Sequence, residues 1–160
     1  TARWLAASDE LPCDVIFAAF NTEDNREKGS EALSEYMETR YEQIRMINLK
    51  CLGWKDQPLT VYGADSEAGL RKSLAGGLGI QYADMDVGGD EAAFREENMS
   101  SVVLIQDACL NKQEVSAVLH SVHDVPENLD FAMLDETAKK LAAWIIERGD
   151  EPLVSYVVYW

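Results

Sequence analysis

The stretches Val15 to Phe20 and Val102 to Ile105 are short and apolar without interruption. A strand with one wet face alternates apolar and polar residues, whereas an unbroken run asks for cover on both faces. Both runs have strand length and fit buried strands in a sheet that carries helices.

Around them the period changes to that of helices. Ser30 is placed to cap a helix to about Ile44, with Leu33, Met37 and Ile44 on one face. Met46 to Gly53 alternates, putting Ile47, Leu49 and Cys51 on one side. Lys55 to Pro58 reads as a turn and Leu59 to Gly63 as a returning strand, so the pair predicts an antiparallel hairpin. Asp65 or Ser66 begins a helix that stops at Gly76 and Gly77. Ile80 to Val87 is a weaker strand, followed by a short acidic helix from Asp90 to Asn98.

Asn111 with Glu114 forms a capping box for a helix to about Val122, whose stripe is Val115, Val118, Leu119 and Val122. Asp135 caps a helix to Arg148, and Gly149 ends it. Ala138, Leu141, Trp144, Ile145 and Ile146 cover more than half of that helix. Leu153 to Trp160 reads as a terminal strand. The expected fold is α+β, a mixed sheet packed with helices. Its first half has the β-α-β-β-α-β order of a ferredoxin-like unit, and an α/β extension follows. A three-layer α/β arrangement is the alternative. No linker or repeat divides the 160 residues, so a single domain is expected over the whole length.

Charge narrows the function. The chain holds 29 Asp and Glu against 14 Lys and Arg, a formal net of -15. Nucleic acid phosphates and anionic membrane surfaces are disfavoured partners. The charge is uneven: residues 45–83 are mildly basic, and acid gathers on Glu31, Glu35, Glu38 and Glu42, at residues 84–97 and in the last third. The four glutamates fall within about 60° on a helical wheel. Together with Asp84, Asp86, Asp90 and Glu91 they form a candidate docking surface for a basic protein partner. The function expected from charge and size is therefore protein binding, as an inhibitor, immunity protein or adaptor.

Two other classes compete. Asp84, Asp86 and Asp90 surround Gly88 and Gly89 and offer oxygen ligands for a divalent metal. An EF-hand register from Asp84 fails, because its last ligand position is Arg95. With Asp107, these acids would serve a small metal-dependent hydrolase or transferase sited at the carboxyl ends of strands. The third class is a subunit of a homo-oligomer, suggested by the apolar segment Leu153–Trp160 at a sheet edge.

The remaining reactive residues have plain readings. Cys109 beyond the second apolar run is a candidate nucleophile, but acidic surroundings raise a thiol's pKa. His120 and His123 sit near a helix end, where the dipole and solvent satisfy them. No phosphate-binding glycine loop, nucleophile elbow or HExxH motif is present, and no resident cofactor is expected. Three cysteines without close spacing, and no apolar run near the ~18 residues of a membrane span, favour the cytoplasm.

Overall fold

The apolar run at 102–105 occupies the middle of the sheet. The computed structural model describes residues 1–20, 28–111, 117–118 and 121–151. In chain order its helices and strands are α1 (Ala2–Leu5), α2 (Lys28–Glu38), β1 (Arg45–Lys50), β2 (Leu59–Gly63), α3 (Ala68–Leu78), β3 (Gln81–Asp84), α4 (Asp90–Glu96), β4 (Ser100–Gln106) and α5 (Phe131–Arg148). The sheet order is β1-β4-β2-β3. Strand β4 runs parallel to β1 and antiparallel to β2, and β3 is parallel to β2.

Both faces of the sheet are covered, as the unbroken run in β4 requires. On one face Val61, Val102 and Leu104 meet Leu70, Leu74 and Leu78 of α3 and Leu141, Trp144 and Ile145 of α5. On the other, Tyr62, Val103 and Ile105 form a second cluster. Beside it Ala93 and Phe94 of α4 pack with Met37 of α2 and with Met46 of β1. The fold is α+β with a mixed four-stranded sheet, as expected, and its helices lie in layers on either side.

The hairpin is not formed. Strand β4 lies between β1 and β2, which the sequence pairs directly. Hairpin signals are local, whereas β4 is the strand with most apolar surface to hide and takes the centre. The connection from β1 to β2 is pinned by Gln106 at the end of β4. That side chain is fully buried, accepts the Trp54 N–H at 2.6 Å, and donates to the carbonyls of Trp54 and Gln57 at 2.8 and 2.9 Å. Every polar atom of the buried amide is thereby satisfied.

The other apolar run, Val15–Phe20, forms no strand among the described residues. It lines a cleft with Arg45–Leu49, and Ile16 and Phe17 stay 49% and 58% exposed. Apolarity predicts burial; a strand also needs a neighbour's row of N–H and C=O groups.

Several boundaries move for local reasons. Among the described residues helix α2 spans Lys28–Glu38, leaving Glu42 and Ile44 outside it. Ser30 is therefore inside the helix rather than its cap. Helix α3 runs past Gly76 and Gly77 to Leu78, and Gly79 at φ 69° closes it. Helix α5 is capped by Asp130, which accepts the Met133 N–H at 3.0 Å. Asp135 instead pairs with Lys139 at 2.7 Å, and that bond holds its carboxyl below the usual carboxylate range. Trp144 is core as expected, its indole N–H donating to Ser73 at 3.1 Å. Val122 is 88% exposed rather than part of a core stripe. Most of the helix expected over 111–122, including Glu114, Val115 and Leu119, and all of the strand expected over Leu153–Trp160 lie outside the described residues. No described helix is long and apolar enough to cross a membrane.

Candidate functional site

Parallel β1 and β4 end side by side, in register to Lys50 and Ile105. Carboxyl ends of parallel strands are where sheets of this kind receive ligands. The turn Gly88–Gly89 and the start of α4 approach the end of β1. Gly89 has φ 135°, a conformation open to glycine. A Cβ there would stand 3.0 Å from Lys50 Nζ, 3.1 Å from Glu91 Oε2 and 3.7 Å from Asn48 Nδ2. Glycine therefore lets the turn close on a nook that holds an ammonium, a carboxylate and an amide.

Glu91 is 1% exposed. Its Oε2 accepts a hydrogen bond from Asn48 Nδ2 at 2.8 Å, and its backbone carbonyl accepts one from Ser101 Oγ at 2.8 Å. Among the described residues, its other carboxylate oxygen and Oδ1 of buried Asp90 have no hydrogen-bond partner. Buried oxygens without partners are costly and commonly mark working sites. Gly89→Ala is expected to destabilise the protein by about 1–2 kcal/mol, because an L side chain is strained at positive φ. A smaller melting shift for Gly76→Ala, where an added Cβ meets nothing within 4 Å, checks this.

The acids singled out in the sequence do not converge as a set. Asp84, at the end of β3, faces Arg71 at 3.3 Å. Asp86 pairs with Arg95 at 2.7 Å and accepts the Gly88 N–H at 3.1 Å. Asp90 turns inward. Among the described residues no three His, Cys, Asp or Glu side chains group as metal ligands. Asp90 and Glu91 are buried at 7% and 1% exposure, so they cannot be part of an open docking surface as the sequence suggested. Glu31, Glu35 and Glu38 are exposed along α2, and Glu42 lies beyond its end.

The residues near β4 have settled partners. Asp107 accepts the Tyr62 hydroxyl at 3.0 Å. Burial first, and then this bond, push the Tyr62 pKa up. Burial and the adjacent Cys51 push the Cys109 thiol up to about 12, which argues against a ready nucleophile. His123 is exposed, and His120 lies outside the described residues. Sequence reasoning missed Asn48 and Lys50. Their strand has an ordinary alternating pattern, and only the parallel pairing with β4 brings them to α4.

Residues 1–145 match peptidase family M28. The fold is similar to that of an aminopeptidase from Aneurinibacillus sp. strain AM-1, with 19% identity, a TM-score of 0.61, and cover of 88% of this chain and 35% of that one. It is also similar to BSAP, a zinc aminopeptidase from Bacillus subtilis, solved in two structures. These have 19% and 21% identity, a TM-score of 0.64, and cover of 81% of this chain and 34% of theirs. The chain thus spans about a third of the length of the solved proteins it resembles. No curated protein matches it. The family match overturns the expectation of an inhibitor, immunity protein or adaptor: charge and size set a surface property, which a peptidase fold can carry equally well.

Proposed function

Because the chain belongs to peptidase family M28, we propose that it acts on peptides, as part of a hydrolase that removes amino-terminal residues. The observation that carries this reading is the family match over residues 1–145. The similar solved structures, an aminopeptidase and a zinc aminopeptidase, support the narrower choice of substrate. The metal-dependent hydrolase that the sequence offered as an alternative becomes the leading reading.

The described residues do not by themselves fit the zinc such an enzyme implies. The orphaned oxygens of Asp90 and Glu91 suit a cation. The Lys50 ammonium and the Asn48 amide approach the same nook, and no third ligand joins the two carboxylates. Glu23, Asp24, Glu27 and His120 are outside the described residues. No catalytic step is routed through a metal here. The nook's own residues fix the Glu91 carboxylate, by the Asn48 bond, and keep it from water.

The test is hydrolysis by the full-length protein. Unblocked peptides and aminoacyl anilides should be cleaved from the amino end, and acetylated ones should not. A chelator should abolish the release and added zinc restore it. No release from any unblocked peptide, with or without zinc, overturns the reading.

A further inference from the structure

The same parallel pairing that builds the nook brings two cysteines together just beyond the strand ends. Cys51 is the first residue after β1, and Cys109 lies in the turn Asp107–Leu110 after β4. Cys109 Sγ stands 3.5 Å from the Cys51 carbonyl oxygen. Both pack on the Tyr62–Val103–Ile105 cluster. Both line one cleft of about 110 Å³ with Leu52, Trp54 and Leu129. Cys51 has φ 48°, an uncommon conformation for a residue other than glycine. The third cysteine, Cys13, packs elsewhere, against the α3–α5 core and beside Gly149.

We propose that Cys51 and Cys109 are a redox pair that closes to a disulfide by exchange with a low-molecular-weight disulfide such as oxidised glutathione. One cysteine, as thiolate, attacks a sulfur of the small disulfide. A mixed disulfide forms and one glutathione thiolate leaves. The second cysteine, having lost its proton, attacks the protein sulfur of that mixed disulfide and releases the second glutathione thiolate. Two protein thiols are oxidised to one disulfide, one glutathione disulfide is reduced to two thiols, and the protons end on the products.

The surroundings set the rate. Pushed up to about 12, the Cys109 thiol is protonated at neutral pH, so its own attack is slow there and quickens as pH rises. Once formed, the bond ties the end of β1, and with it Asn48 and Lys50, to the turn after β4. The inference rests on the geometry of the pair and not on the peptidase reading, so a protein that cleaves no peptide can still satisfy it.

The experiment incubates the full chain in graded mixtures of reduced and oxidised glutathione, alkylates the remaining thiols, and maps the digest by mass spectrometry. The expected product is a peptide pair joining Cys51 to Cys109, with Cys13 alkylated. It should accumulate at least several-fold faster at about pH 9 than at about pH 7 and reopen in reduced glutathione. Cys13→Ser should keep the cross-link. Cys51→Ser and Cys109→Ser should each stop at a glutathione adduct or a free thiol. Adducts on both cysteines with no cross-link, a cross-link through Cys13, or two thiols that stay alkylatable throughout would each overturn the proposal.

Discussion

Leu104→Ala should lower the unfolding free energy by about 3 kcal/mol, within the 2–5 kcal/mol range for deleting a buried leucine side chain. Leu104 is 0% exposed on the central strand. It packs in the cluster that joins the sheet to α3 and α5. The truncation removes transfer free energy and leaves a cavity between layers that cannot collapse without moving both helices. Urea unfolding followed by circular dichroism reads the loss. Leu49→Ala is the control, since Leu49 on the neighbouring strand is 49% exposed and should cost less than about 1 kcal/mol. Equal losses at the two positions would mean that β4 is not the centre of the core.

The second large effect is expected at a charge. Arg71 on α3 is 4% exposed. Its Nη1 donates to the carbonyls of Gly63 and Ala64, the latter at 3.2 Å, and faces Asp84 at 3.3 Å. One side chain thus ties α3 to the end of β2 and to the end of β3. Arg71→Ala removes two charge-assisted bonds, although the Gly63 carbonyl keeps the Met85 N–H at 3.2 Å and the Ala64 carbonyl keeps the Glu67 N–H at 2.9 Å, and should cost about 2–3 kcal/mol. The ion pair is the smaller part of that sum, because the Asp84 side chain is 57% exposed and water replaces the guanidinium. Asp84→Asn should therefore cost less than about 1 kcal/mol, and its effect should shrink in high salt. A loss of similar size in both variants would show that the carboxylate, and not the carbonyls, is what Arg71 serves.

Arg71 also shows why the acidic turn misled. From the sequence, Asp84, Asp86 and Asp90 form a cluster of free oxygens around two glycines. In the folded chain Arg71 comes from the helix before the turn and Arg95 from the helix after it, and each takes one acid. Asp90 is carried inward at the start of α4. Spacing in sequence counts the acids near a turn but not the cations that packing brings to them.

The nook was the less legible part for the same reason. Asn48 and Lys50 belong to β1, Gly89 and Glu91 to a turn and helix some forty residues later, and a bond of 2.8 Å joins Asn48 to Glu91. Nothing in the local period of either segment announces the other. The two thiols share this origin: Cys51 and Cys109 are distant in sequence and meet because β1 and β4 are parallel neighbours.

What the sequence by itself determined was local. The unbroken run in β4 required cover on both faces, the spacing of Leu141, Trp144 and Ile145 required a packed helix, and the alternation from Met46 to Gly53 with the returning run Leu59–Gly63 required strands, which form at Arg45–Lys50 and Leu59–Gly63. These follow from backbone geometry and from the free energy of hiding apolar side chains, which act within a few residues of chain. Strand order was decided only in three dimensions. Placing β4 between β1 and β2 lets the most apolar strand reach both helical layers and lets Gln106 satisfy the connection that a hairpin would have shortened. That one choice sets which strand ends lie together, and so places both the Glu91 nook and the Cys51–Cys109 pair.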